Sequence, residues 1–349
     1  GLQLFPSVSP EQVPARRYFD EALRLVELGD QLGFTHARIV EHYFHRYGGY
    51  SPNPLLFLAA ASQRTQRMRM ITGAVLPVFN HPLKLAGEIG MLDAISGGRL
   101  DVGFARAFLP HEYARFGISL DESRARFDEG LEIVRRLLEE TDVAYAGRFH
   151  RFAATTSLPR PTQQPRPPFW IAALATEASF VNAGRLGHGV MAIPLSGSQM
   201  ARLLSLYRDA WRAAGHPGNG RVMLAFHMLA HEDAATAMEL ARGPITRFLE
   251  SLADASRDWT SGVSSRDYPG YEQMFARLGE HTFEKTVAQG AAWVGTPAMI
   301  REQIAAYYEL VGGFEIASVQ GNFNDLPYDQ VERSFRLFAR EVMPAFPDP

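Results

Sequence analysis

"MRMITGAVLPVFNHPLKLAGEIGMLDAISGGRLDVGFAR", residues 68–106, contains a strand, a helix and a second strand in that order. The runs "MRMITGAV" (68–75) and "LDVGFA" (100–105) are short and largely apolar without strict alternation. That pattern suits parallel strands covered on both faces. The intervening segment near 82–96 reads as a helix, and "SGG" (96–98) ends it, because glycine readily adopts the left-handed conformation of a helix C-terminus.

The same alternation runs along the chain. Further strand candidates are "LQLF" (2–5), "HARIV" (36–40), "FWIAAL" (169–174), "GVMAI" (189–193), "RVMLAFHML" (221–229) and "EIASVQG" (315–321). Helices between and after them carry single apolar stripes at helical spacing: Phe127, Leu131, Val134 and Leu138; Ile300, Ile304, Tyr307 and Val311; Val331, Phe335, Phe338 and Val342. "LGF" (32–34) is another glycine stop. Eight strands separated by helices predict a (β/α)8 TIM barrel forming one domain over residues 1–349. A doubly wound open sheet is the alternative, but no Gly-x-Gly-x-x-Gly follows the first strand. Two segments interrupt the pattern. Residues 143–168, with "RPTQQPRPP", lack strand or helix periodicity and read as an extended crossing segment. Residues 254–296 form a long Gly/Ser/aromatic insertion, expected to be either an active-site lid or a surface excursion.

The bulk composition narrows the chemistry. The chain of 349 residues has a net charge of -3 and scattered basic residues, which gives no global attraction to nucleic acid or acidic membranes. It contains no cysteine, so disulfides, thiolate nucleophiles and Cys-ligated metals are excluded. No apolar run reaches the length of a membrane-spanning helix. The printed chain opens without a charged n-region and apolar h-region, so a cytoplasmic location is expected.

In a parallel barrel, function gathers just beyond the C-terminal ends of the strands. Those positions hold Glu41, His42 and Tyr43, then Asn80 and His81, Arg106, Thr176 and Ser179, Ile193 and Pro194, and Gln320. Few are carboxylates, which counts against glycosidase chemistry and against oxygen-ligated magnesium or calcium. Arg106 and the helix entered through "ALATEAS" together read as an anion site, with Thr176 and Ser179 as hydroxyl donors. Thr176 reads equally as an ordinary helix N-cap. His42 and His45 allow a metal clip, a polar loop or a proton-transfer group. No His-Glu-x-x-His motif supports the metal, and no metal site is expected.

"IVEHYF" (39–44), the run 73–106, "ESRARFDEGLEIVRRLL" (122–138) and "WVGTPAMIREQI" (293–304) resemble the bacterial luciferase-like flavin-dependent monooxygenases, in the family's order and spacing. The resemblance implies a (β/α)8 barrel binding reduced FMN, usually as a homodimer, with the flavin supplied by a separate NAD(P)H-dependent reductase. Dioxygen would add at the flavin C(4a) position, and the resulting peroxide would oxygenate a small organic substrate. By position, the resemblance makes His42 the active-site histidine and Arg106 the phosphate-binding arginine. It moves Thr176 and Ser179 to phosphate ligands beside Ala175. It places Gly73 and Ala74 at a non-prolyl cis peptide beside the isoalloxazine, and makes 254–296 the mobile loop. Tyr43, Phe79, Phe108, Phe226 and Trp259 are the candidate substrate-pocket residues. Tyr43 stands where luciferase has a second histidine, and Ala105 where it has a cysteine. Ala175 replaces an acidic phosphate-site neighbour. These departures point to a biosynthetic monooxygenase acting in secondary metabolism rather than a light-emitting enzyme. A deazaflavin-dependent oxidoreductase and a non-catalytic flavin-binding protein are the alternative expectations.

Overall fold

The structure is a computed structural model that describes residues 1–194, 196–277, 281–322 and 326–346. Eleven strands occur among them: β1 Leu2–Leu4, β2 His36–Ile39, β3 Arg69–Thr72, β4 Leu100–Phe104, β5 Val143–Ala146, β6 Arg151–Thr155, β7 Phe169–Ala172, β8 Gly189–Ala192, β9 Val222–Ala230, β10 Ala292–Gly295 and β11 Ile316–Gln320. Eight of them close a parallel barrel in the order β1, β2, β3, β4, β7, β8, β9, β11 and back to β1. These are the eight strands read from the sequence, and helices surround them as a (β/α)8 barrel requires.

The two-residue alternation of strand side chains divides the interior into two cores. Leu2 and Leu4, Ala37 and Ile39, Val102 and Phe104, and Leu224 and Phe226 face outward and join the helices in one continuous apolar shell. The helical stripes expected at 127–138, 300–311 and 331–342 are buried in the same shell. The alternate residues face the barrel axis, where Ile71, Trp170, Met191 and Met223 form a small plug. Below the plug the Asp101 carboxylate accepts hydrogen bonds from Trp170 Nε1 at 2.9 Å and Arg69 Nε at 2.8 Å. The plug fills the lower barrel, so within the barrel the ligand space lies toward the C-terminal strand ends.

The expected helix stops are realised. Gly33, Gly97 and Gly98 all have positive φ, at 88°, 67° and 79°. The segment 143–168 differs from expectation, because β5 and β6 form an antiparallel hairpin at its start. Periodicity hid this hairpin, since of β5 only Val143 is buried. A single helix carboxylate holds its turn: Glu129 accepts the backbone N–H groups of Arg148, Phe149 and His150 at 2.9, 3.0 and 2.7 Å. Residues 156–168 do run as a crossing segment. There Arg160 donates to the carbonyls of Leu137 and Leu138 at 2.6 Å, satisfying a helix C-terminus. β10, absent from the sequence reading, lies parallel to the far half of β9.

Candidate active site

A cavity of about 1330 Å³ opens at the C-terminal ends of the strands. Gln3 and Phe5 from β1 and its extension, Arg38, Val40 and His42 along β2, Gly73 and Ala74 after β3, and Ala105–Phe108 after β4 line it. Thr176 and Ser179 border one end, and the Gly73–Ala74 peptide is cis. Typical small-molecule sites occupy roughly 300–1,000 Å³. This cavity therefore has room for a cofactor and a second molecule together.

On one wall His42 is buried against Phe5, Tyr47 and Phe108, with ring centroids 5.7, 5.2 and 6.0 Å away. Its Nδ1 donates to Glu112 Oε1 at 3.1 Å, and the same oxygen accepts the Tyr43 backbone N–H at 2.8 Å. Glu112 is fully buried in the first turn of the helix Pro110–Phe116. Pairing at Nδ1 fixes the imidazole's orientation and leaves Nε2, which has no partner among the described residues, for the cavity. Behind this pair lies a second buried carboxyl, Glu41. It accepts from the Tyr43 hydroxyl, from Asn80 Nδ2 at 2.8 Å and from the Leu76 N–H at 3.1 Å. Burial, with a further contribution from the Glu112 charge, pushes Glu41 up to about 8 against the pull of these donors.

The opposite end is cationic. Arg106 lies half-buried over the Tyr268 ring at 4.6 Å and donates to the Asp267 carbonyl at 3.0 Å. Arg124 and Arg185 line the same end beside Asp128. Burial, reinforced by the neighbouring Arg106 charge, lowers the Arg124 pKa. Burial outweighs the surrounding arginines and raises the Asp128 carboxyl. Thr176 occupies the N-cap position of the helix Glu177–Arg185, yet its hydroxyl makes no capping bond. The acidic residue of the first turn, Glu177, is turned outward to Arg202 at 2.8 Å. The Ser179 N–H is taken by the Thr176 carbonyl at 2.9 Å, but the helix N-terminus, two hydroxyls and several guanidinium groups still make a fitting receptor for a phosphate.

Four similarities place this arrangement among known proteins. Residues 2–313 match the family described as luciferase-like monooxygenase. The chain belongs to the luciferase-like monooxygenase family. A crystal structure of the monooxygenase RslO1 from Streptomyces bottropensis is 45% identical, with a TM-score of 0.90 and 99% of both chains covered. The oxygenase component of a flavin-dependent trigonelline monooxygenase from Acinetobacter baylyi is 38% identical over 165 residues, 47% of this chain and 45% of that one. The oxygenating constituent of 3,6-diketocamphane monooxygenase from Pseudomonas putida, solved with FMN, shares the fold at 23% identity, with a TM-score of 0.84 and coverage of 100% and 99%. This chain is thus a luciferase-like monooxygenase with a TIM-barrel fold.

In this monooxygenase the cavity brings together His42, Gly73, Ala74, Arg106, Phe108, Ala175, Thr176 and Ser179. Of the other expected pocket residues, Tyr43, Phe79 and Trp259 lie outside the lining and Phe226 only borders it. Tyr43 turns away because its hydroxyl is held by Glu41, and its ring packs with Phe79 and Phe116 at 5.9 and 4.9 Å. Phe226 borders the cavity through its strand, but its ring stacks outward on Trp293 at 3.9 Å. Its inward neighbours Ala225 and His227 line the cavity instead, and burial pushes His227 down to about 4. Trp259 is 1% exposed and donates from Nε1 to the Phe108 carbonyl at 2.9 Å. It belongs to a cap formed by residues 255–277, where Tyr268, Tyr271 and Phe275 are also buried. The expected lid 254–296 is shorter than read, because its far end supplies β10 beside β9, and its residues 278–280 lie outside the described residues. His45 sits outside the cavity, paired with Asp254 at 3.1 Å. Among the described residues no group of three or more metal-ligating side chains converges, and no helix is long and apolar enough to cross a membrane.

Proposed function

We propose that this chain is the oxygenase of a two-component, FMN-dependent system, taking reduced FMN from a separate NAD(P)H:flavin reductase in the cytoplasm. The observation that carries this reading is one cavity with a carboxylate-oriented histidine at one end and an arginine–hydroxyl–helix receptor at the other. Arg106, Thr176 and Ser179 would hold the phosphate. The Gly73–Ala74 peptide and the wall around His42 would flank the ring system. Reduced FMN, when bound, supplies two electrons to dioxygen, so that one oxygen atom enters a small organic substrate and the other leaves as water.

The protein's own part is positional and acid–base. Glu112 holds His42 so that Nε2 gives or takes a proton at the flavin, a role typically worth about 10²–10⁴ in rate. The apolar wall of Phe5, Val40, Tyr47 and Phe108 limits water beside that nitrogen. The cap that carries Trp259 acts as the lid, opening to admit substrate. A homodimer completes the proposal: the helices Pro54–Ser62 and Pro82–Ile95 pack together and leave Leu56, Met91 and Ile95 exposed. The substrate is a small organic molecule of secondary metabolism.

The test is reoxidation. The protein mixed with reduced FMN and then with oxygenated buffer should delay the return of oxidised-flavin absorbance relative to free reduced FMN. His42→Ala should bind the flavin and lose that delay. Reoxidation at the rate of free flavin in the native protein would count against the reading.

A further inference from the structure

Arg38 is a charge with no acidic partner among the described residues. It projects from β2 into the barrel, is 5% exposed and lines the cavity directly above the apolar plug. Its Nη1 reaches only the Met223 thioether, 3.7 Å away. Its Nε is buried with no hydrogen-bond partner, and among the described residues no carboxylate pairs with it. Burial lowers its pKa to about 10. Its side chain is pressed under Gly73, where an added Cβ would come within 2.2 Å of Arg38 Cγ. The guanidinium therefore lies just beneath the cis peptide.

Two carboxamides flank it in the same layer. Gln3 is the cross-strand neighbour of Arg38, and Gln320 enters from β11. Gln3 Nε2 donates to Gln320 Oε1 at 3.4 Å, which leaves Gln3 Oε1 and Gln320 Nε2 buried and unsatisfied. A buried guanidinium, a spare amide donor and a spare amide acceptor thus border one ligand-sized space. Buried polar atoms without partners are costly, and apolar side chains of similar volume would serve the barrel better. Their arrangement fits a ligand that is absent from the fold itself.

We propose that Arg38, with Gln3 and Gln320, is a receptor for the oxygen-bearing edge of a planar conjugated molecule, a carbonyl or oxyanion edge that a planar guanidinium can grip through two N–H groups. This rests on the reading of the cavity as a flavin and substrate site. Two sources carry that chemistry: the dione edge of the flavin, and an enolate or phenolate edge of the substrate. In the first case Arg38 favours the reduced flavin by placing positive charge at its electron-rich ring. In the second it selects acidic, conjugated substrates.

The experiment compares the native protein with Arg38→Met and Arg38→Lys. Three quantities are measured: thermal unfolding without ligand, anaerobic binding of reduced FMN, and binding of the oxyanion 2-hydroxy-1,4-naphthoquinone as probe. Arg38→Met should unfold at the same temperature or higher, because an unpaired buried charge is removed. It should weaken one or both ligands by about ten- to a hundredfold, as expected for a lost charge-assisted hydrogen bond, with Arg38→Lys intermediate. Loss confined to reduced FMN assigns the flavin edge, and loss confined to the quinone assigns the substrate edge. The receptor is overturned by a lower unfolding temperature for Arg38→Met, which marks a structural arginine. It is overturned equally by unchanged binding of both ligands, or by a native protein that binds neither. Quinone binding through Arg38 without FMN binding would keep the receptor and remove the flavin reading.

Discussion

At the residue scale the central unit is His42 with Glu112. The sequence exposes His42, because a histidine just past a barrel strand stands where such enzymes place chemistry. It does not expose Glu112, which lies 70 residues away in a helix's first turn and reaches the imidazole only through the closed barrel. The signal that could have found it is the acid in "LPHEYARF", which enters the helix beside a proline and is completely buried. Glu112→Gln should lower the oxygenation rate by roughly ten- to a hundredfold while His42→Ala costs more, within the range of acid–base catalysis. Reduced-FMN affinity should stay within a few-fold in both, measured by anaerobic titration. Glu41 gives a pH prediction. Its folded pKa of about 8 is above its ordinary value, so the folded state holds the proton more tightly than the unfolded one. That contribution to stability is fully present below about pH 4.5 and is lost as pH rises through about 8. Glu41→Gln should flatten this decline, read as unfolding temperature between pH 5 and 9.

At the element scale, the eight barrel strands were legible because their near-continuous apolar runs have few other uses. The hairpin β5–β6 was not, because Glu129 and not burial holds it. Which face each strand residue takes was the weaker part of the reading. Phe226 and Ala225 differ by one position, and with a period of two that difference moves a ring from the cavity to the shell. The proposed phosphate receptor, built from Arg106 after β4 and the helix Glu177–Arg185, carries the next prediction. Arg106→Ala should weaken FMN by about tenfold or more, but leave binding of riboflavin, which has no phosphate, nearly unchanged. The cap depends on Trp259, enclosed by Tyr268, Tyr271 and Phe275. Trp259→Ala should loosen it with a local cost of about 3–5 kcal/mol, seen as faster proteolysis within 256–277 while the barrel survives.

At the scale of the whole molecule, the sequence reading reached a luciferase-like (β/α)8 barrel, and the closed eight-strand barrel and the family match over residues 2–313 agree. The substrate was not legible, since the residues lining the cavity come from many strands and from the cap. The proposed homodimer is a whole-molecule property too. Leu56 and Met91, 73% and 56% exposed, lie on adjoining helices with Leu158 close by. An apolar patch of this kind points to a protein interface. On the proposed homodimer, the native protein should sediment as a dimer and Met91→Lys together with Leu56→Lys as a monomer in sedimentation velocity, with the fold intact by circular dichroism.

The most direct measurement is an anaerobic titration of the purified protein with reduced FMN and, separately, with a reduced deazaflavin. The account predicts saturable binding of one reduced FMN per chain, tighter than oxidised FMN and tighter than the deazaflavin, and weakened in Arg106→Ala. Absence of reduced-FMN binding, or preference for the deazaflavin, would contradict it.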